Sequence, residues 1–204
     1  MAPDEAFALL GSYGVSYAGL AVAESVDEAV KAARRLRYPV VLKTADPSVL
    51  HKTEKGGVVL NIAGEKELRK AFRAMKAPRC LVQKMAPAGT EVIIGARKDN
   101  EFGHVVLFGL GGIFVELLKD TAMRVVPLTA KEAESMVLEI RAAGLLKGFR
   151  GRGALDVKAL ARCVADISKL LVDHPEISNI DINPLILYGK GQGCIAVDAK
   201  VEVS

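Results

Sequence analysis

Cysteine is scarce: Cys80, Cys163 and Cys194 are the only three in 204 residues. An odd number with no CxxC spacing excludes a disulfide framework, and the apolar neighbours of each mark them as buried thiols of a reducing compartment. Histidine is equally sparse, and His51, His104 and His174 stand too far apart for a zinc site built on local spacing. Long apolar runs are missing too. The longest, residues 105–115, is broken by three glycines and closed by Glu116, short of the ~18 residues that a membrane helix needs. Nor is there a basic run: 28 Lys and Arg against 24 Asp and Glu leave a scattered +4, without interleaved aromatics, which disfavours nucleic acid as a partner. The first ten residues, MAPDEAFALL, carry an Asp and a Glu and lack the basic start and small-residue cleavage site of an export signal. A cytoplasmic location is the expectation.

What is present is half hydrophobic and one quarter charged, enough for a buried core with a solvated surface. The length suits one large domain or two small lobes sharing a core. Residues 3–10 read as a short amphipathic helix ended by Gly11. Ser25 with Glu28 gives a capping box for a helix to about Leu36, and residues 38–43 follow as a strand. Residues 58–62 form a second strand and residues 65–75 a helix, completing a first lobe at residues 1–78. The second lobe, residues 79–204, opens with a strand at 80–85. A strand pair at 91–96 and 105–108 follows, then helices at 129–142, entered through Thr129 and Glu132, and at 154–172. Strands at 179–188 and 194–203 close the chain around the turn Gly189-Lys-Gly-Gln-Gly193. Strict βαβ alternation is absent, so an α+β arrangement of two lobes is expected.

Two common phosphate loops are excluded. No GxxxxGK[ST] occurs, and Gly109-Leu-Gly-Gly-Ile-Phe114 has Phe where a dinucleotide fingerprint needs its last glycine. Instead Lys43 ends a strand, and His51-Lys-Thr-Glu-Lys-Gly-Gly-Val58 follows. Lysines there hold phosphate by point charge, and Gly56-Gly57 allows backbone N–H groups to close over phosphate oxygens; a plain hairpin turn is the alternative. Near the C-terminus, Asp181-Ile-Asn183-Pro184 and Asp198-Ala-Lys200 lie on successive strands. Period-two alternation puts Asp181 and Asn183 on one face, and a hairpin brings Asp198 opposite them. Such an oxygen-only cluster suits magnesium completed by waters and nucleotide phosphates. The competing reading is that these Asn and Asp residues only bound a turn.

The segments DPSVLHKTEKGGVVLNI, GTEVIIGARKDNEFG, FGLGGIFVELLKDTAMRVVPLT and IDINPLIL, in that order, resemble the ATP-grasp β subunit of ADP-forming acyl-CoA (acetyl-CoA) synthetases. More distantly, the metal candidates and their spacing are similar to the β subunit of succinyl-CoA synthetase. The resemblance covers nearly the whole chain. It implies an ATP-grasp fold in which two α+β lobes hold ATP or ADP between them.

By the same resemblance, Lys43 contacts the α- or β-phosphate, Lys52 adds charge beside the phosphates, and the Gly56-Gly57 segment is a mobile loop closing on them. Val82, Gln83, Lys84 and Met85 become the hinge against adenine, backbone groups reading the base edge and apolar side chains flanking the ring. Glu91 reaches the ribose hydroxyls or positions the triphosphate. Asn183 and Asp198 match ligands of Mg2+, and Asp181 lies where related enzymes keep an acidic residue near the reacting phosphohistidine. His51 matches a position that accepts the phosphoryl group on the β chain; a loop histidine that only hydrogen-bonds phosphate is the alternative. Glu116, Asp120 and Arg124 belong to a further motif, for which structural pairing is an equally good account. The Gly/Arg-rich loop at 148–153 matches as well. Departures fall at Lys98, His104, Gly153 and Asn179, where Arg, Pro, Pro and an acidic residue are usual. They bear on substrate or partner preference rather than on ATP.

The implied activity is that of an acid–thiol ligase interconverting acyl-CoA, ADP and phosphate with acid, CoA and ATP. It is expected to require a CoA-binding α partner, in an α2β2 heterotetramer or as a fused domain. The reading from another class is a non-catalytic ATP-grasp module that senses nucleotide for a neighbouring acyltransferase.

Overall fold

A computed structural model describes residues 1–45, 57–111, 120–149, 151 and 153–204. The chain divides into a smaller unit, residues 2–5 and 18–87, and a larger one, residues 1, 6–17 and 88–204. Helix α1 (Pro3–Ser12) comes first, running two residues beyond the sequence expectation with Gly11 inside it.

In the smaller unit, β1 (Leu20–Ala23) leads to α2 (Val26–Leu36), β2 (Val40–Thr44), β3 (Val58–Ile62), α3 (Glu65–Met75) and β4 (Cys80–Lys84). Ser25 caps α2 by accepting the Glu28 N–H at 3.3 Å. The reciprocal bond is shifted by one residue, since Glu28 accepts from the Glu24 N–H at 2.8 Å. Both helices end on non-glycine residues of positive φ, Arg37 after α2 and Lys76 after α3. Their apolar stripes, Ala29, Val30 and Ala33 of α2 with Leu68, Ala71 and Phe72 of α3, bury against Val40, Leu42, Ile62 and Val82. Period-two alternation places these strand residues on one face of an antiparallel sheet ordered β1-β4-β2-β3.

That order corrects the division expected after residue 78. Strand β4 pairs with β1 on one side, Gln83 opposite Leu20, and with β2 on the other, Gln83 opposite Val41. It is an interior strand of the smaller unit, and the chain leaves that unit after Pro87.

The larger unit contains β5 (Thr90–Asp99), β6 (Gly103–Leu110), β7 (Thr121–Val125), α4 (Ala130–Glu139), α5 (Ala143–Lys147), α6 (Val157–Asp173), β8 (Ile177–Leu187), β9 (Cys194–Ala196) and β10 (Lys200–Val203). Its antiparallel sheet runs β10-β8-β5-β6-β7, with β9 beside the far end of β8. Val92, Ile94, Ala96, Val106, Phe108, Ile180 and Ile182 are buried, as are Met136 and Val137 of α4 and Leu160, Val164 and Ile167 of α6. The alternating residues Glu91, Arg97, Asp181 and Asn183 are exposed. One face of the sheet is therefore core, and the other carries the polar candidates.

The capping box at Thr129 and Glu132 forms in both directions. The helix it starts stops at Glu139 instead of reaching residue 142, because the buried Asp120 carboxylate accepts the N–H groups of Arg141 and Ala142, each at 2.8 Å, and the chain turns there into α5. Two strands, β1 and β7, lie where no strand was expected. The expected strand 194–203 is two, β9 and β10, interrupted at residues 197–199.

Candidate functional site

Lys43 is only 6% exposed, unlike an ordinary surface lysine. It lies in β2 opposite Leu81 of β4 and Val58 of β3, on the sheet face away from α2 and α3, beside the buried side chains of Val41, Leu81 and Gln83. An ammonium taken out of water needs polar or anionic company, so this position suits a charge that is used rather than solvated. The next residue, Thr44, donates its N–H to the carbonyl of Gly57, the residue before β3, at 2.8 Å. His51, Lys52 and Gly56, like Glu116, lie outside the described residues.

The hinge candidates divide. Val82 is fully buried with its side chain in the helix-side core. The Gln83 side chain is buried as well and donates to the Ala18 carbonyl at 3.4 Å. Lys84 donates from Nζ to the carbonyls of Arg37 at 2.7 Å and Tyr38 at 3.3 Å, so its charge holds the α2–β2 connection. Because β4 is laddered on both sides, the backbone of Val82 and Gln83 is committed to sheet hydrogen bonds. The Met85 N–H goes to the Pro39 carbonyl at 3.1 Å.

In the larger unit, Glu91 is the second residue of β5, with its side chain exposed. Its carbonyl accepts the N–H of Gly111 at 2.8 Å. On β8, Asp181 lies opposite Gly95 on one side and Lys200 on the other. Pairings Lys200–Asp181 and Ala196–Leu185 flank the break in the ladder, which places Asp198 opposite Asn183 across it. No side chain at Gly95 crowds Asp181. The surrounding protein, followed by the negative charge of Asp198, holds the Asp181 carboxyl above its ordinary range; Lys200 opposes this and Glu202 reinforces it. An amide oxygen and a carboxylate at a gap, with a second carboxylate one strand position away, form a hard, oxygen-only donor set open to solvent. These residues fit Mg2+ completed by waters and phosphates. Among the described residues no group of three His, Cys, Asp or Glu side chains could hold a metal, so a protein-only cage is not what the hairpin offers.

The residues left without a role have structural ones. Asp120 fixes the α4–α5 junction, and Arg124 forms an ion pair with Glu139 of α4. Lys98 donates to the Pro175 carbonyl at 2.8 Å, and His104 donates from Nε2 to the Ile177 carbonyl at 2.7 Å, so both departures pin the entry to β8. His174 caps α6, pairs with Glu176 and meets the Tyr13 ring edge-on. Asp156 escaped the sequence reading. It caps α6 through the Ala159 N–H at 3.1 Å while its other oxygen takes the Gly193 N–H at 2.9 Å, tying the β8–β9 turn to the helix. An Asp immediately before an apolar-periodic run was the available signal. No described helix is long and apolar enough to cross a membrane.

Comparison with known proteins gives the family of the chain. The ATP-grasp domain family matches residues 1–203. The β subunit of acetate–CoA ligase [ADP-forming] I from Pyrococcus furiosus is 41% identical over 97% of this chain and 89% of its own length. The acetate–CoA ligase [ADP-forming] I of Archaeoglobus fulgidus is 40% identical, but the chain spans only 29% of that longer protein. Acetyl-coenzyme A synthetase 1 of Ca. Korarchaeum cryptofilum has been solved in complex with coenzyme A and Mg-AMPPCP, its phosphohistidine segment pointing towards the nucleotide binding site. That structure superposes with a TM-score of 0.89 at 41% identity, covering 99% of this chain and 92% of that one. The chain belongs to the ATP-grasp family, alongside the β subunits of ADP-forming acetate–CoA ligases.

Proposed function

We propose that this chain is the ATP/ADP-binding component of an ADP-forming acyl-CoA ligase of the acetate–CoA ligase type. It interconverts acyl-CoA, ADP and phosphate with acid, CoA and ATP. It works with a CoA-binding α subunit, as α2β2 in the cytoplasm, or with an equivalent fused domain. The observation that carries this reading is the β8–β10 hairpin, whose register sets Asp198 opposite Asn183 beside Asp181, in a chain 41% identical to a β subunit of such a ligase.

Lys43 holds the nucleotide phosphates by point charge, and Lys52 with Gly56-Gly57 adds cation and backbone N–H donors to the same phosphates. Asn183 and Asp198 hold Mg2+, which when bound neutralises charge on the phosphate oxygens. Glu91 orients the ribose or triphosphate. The adenine contacts fall to Met85 and the backbone just beyond it, since Val82 and Gln83 are committed to the sheet. His51 accepts the phosphoryl group on nitrogen, and Asp181 is the acidic residue kept near the reacting phosphohistidine. A nucleotide sensor would need neither His51 nor a metal pair, and the matched relatives are ligases.

Reconstitution tests the proposal. With a CoA-binding partner the chain should form ATP from acetyl-CoA, ADP and phosphate, become acid-labile label-bearing from γ-labelled ATP, and lose the label in His51→Ala. Thioester formation by the purified chain alone, or no turnover with any such partner, would overturn it.

A further inference from the structure

Asp198-Ala-Lys200 holds a residue that the site has not used. Val201 is fully buried, so its strand neighbours Lys200 and Glu202 lie on the open face of the larger sheet, with Asp181 and Asn183. The ladder sets Lys200 directly opposite Asp181 and Glu202 opposite Asn179. Cross-strand neighbours on one face have Cβ atoms roughly 5 Å apart, so the lysine stem rises beside the Asp181 carboxylate. Its ammonium is turned elsewhere. Nζ reaches Glu202 at 2.6 Å, in a pair whose side chains are 49% and 44% exposed. The charges on this part of the face are one-sided. Asp181, Asp198 and Glu202 bring three carboxylates, and Lys200 is the only basic residue in β8 and β10. Arg97, opposite Asn179 on β5, is a further basic residue of the face, but its charge acts on Asp99 towards the β5–β6 turn.

We propose that Lys200 is a catalytic residue of the phosphoryl transfer: its ammonium leaves Glu202 and holds the oxygens of the phosphoryl group carried on histidine beside Asp181. The inference rests on the ligase reading above, which keeps Asp181 near the reacting phosphohistidine. A phosphoryl group bearing two negative charges is repelled by three carboxylates unless a cation meets it. Asn183 and Asp198 give their oxygens to the metal of the nucleotide, and Lys200 answers the group once it has left. Lysine suits the task as a compact point charge on a flexible stem. Its solvent-exposed pair with Glu202 is weak enough to be exchanged for a charge-assisted contact with phosphoryl oxygens. In the transfer, the bond from the γ-phosphorus to the bridging oxygen of ATP breaks as an imidazole nitrogen bonds phosphorus. ADP keeps the electron pair of the broken bond, and the ring keeps its other N–H. Lys200 stays an ammonium throughout, so no proton passes through it.

Kinetics of the chain reconstituted with a CoA-binding partner, forming ATP from acetyl-CoA, ADP and phosphate, test the assignment. Lys200→Gln should lower kcat roughly a hundredfold, while the KM for ADP and the magnesium requirement stay within about twofold of the parent. Lys200→Met, of similar length without the charge, should match it, and Lys200→Arg should recover most of the loss. Glu202→Gln and Arg97→Gln should turn over as the parent does. A surface ion pair with no catalytic part predicts instead that Lys200→Gln and Glu202→Gln behave alike. Parental kcat in both would overturn the role of Lys200 and leave the ligase reading standing. A loss in Lys200→Gln carried by KM or by the magnesium requirement, with kcat kept, would overturn it too, because Lys200 would then serve ground-state binding. If the parent itself forms no ATP with such a partner, the ligase reading falls and this inference with it.

Discussion

Gly111 donates its N–H to the Glu91 carbonyl at 2.8 Å, and a Cβ at Gly111 would stand 3.0 Å from the Glu91 carbonyl carbon, oxygen and Cβ. The close approach is made by backbone, which cannot swing aside as a flexible side chain does. Gly111→Ala should therefore push the first residues of β5 away, at a cost of about 1–3 kcal/mol in urea unfolding. If Glu91 serves the nucleotide, ADP affinity in calorimetric titration should fall with it. Gly95→Ala is the control, because its Cβ meets nothing closer than 3.8 Å. Equal behaviour of the two variants would show that the β5–β6 contact relaxes freely.

Asp120 and Arg124 belong to one sequence motif and differ in consequence. Asp120→Ala leaves the N–H groups of Arg141 and Ala142 without that acceptor at a part-buried turn, and should destabilise by about 1–3 kcal/mol. Arg124→Ala removes a largely solvent-screened ion pair with Glu139 and should cost less than about 1 kcal/mol. Chemical denaturation of the two variants tests the order.

Asp156 gives the fold an acid-dependent increment. The Gly193 N–H, more than any other group, holds its carboxyl below the ordinary aspartate range. A depressed carboxyl in the folded state contributes stability that is fully present above about pH 4, its ordinary value, and is lost as pH falls through the lower folded value. Asp156→Asn should therefore be less stable than the parent near pH 7, by about 1 kcal/mol, with the gap closing in strong acid. Thermal unfolding across that range measures it; a gap independent of pH would place the loss in packing rather than charge.

Local signals carried the elements they govern. Period and caps gave α3 and β3 their bounds and started α2 and α4 at Ser25 and Thr129, because those bonds join residues three or four apart. Pairing between distant strands was less legible. The pattern of residues 80–84 announces a strand but not its neighbours, so pattern alone sets β4 on the wrong side of the division. The same limit hid the commitments of Gln83 to Ala18 and Lys84 to Arg37, both of which depend on segments more than forty residues away. Asp198 was legible because a hairpin's register is local: once the turn at Gly189-Lys-Gly-Gln-Gly193 is recognised, counting outward reaches Asn183. The four-residue β1 and five-residue β7 were too short for alternation to stand out.

The hairpin gives the last prediction its form. Asn183 and Asp198 are on opposite sides of a gap in the β8 ladder, where neither side chain is part of the helix-packed core. Asn183→Ala and Asp198→Ala should consequently leave unfolding nearly unchanged, within about 1 kcal/mol. Each should raise the magnesium needed for half-maximal turnover of the reconstituted enzyme by roughly tenfold or more, since one oxygen ligand is lost from a hard cation. Asp181→Asn should separate from this pair. It keeps the shape while removing charge one position away, so turnover should fall with the magnesium requirement held. If all three variants shift the magnesium requirement alike, Asp181 is a third ligand. If none does, these oxygens only shape the turn, and the metal site must be sought elsewhere in the chain.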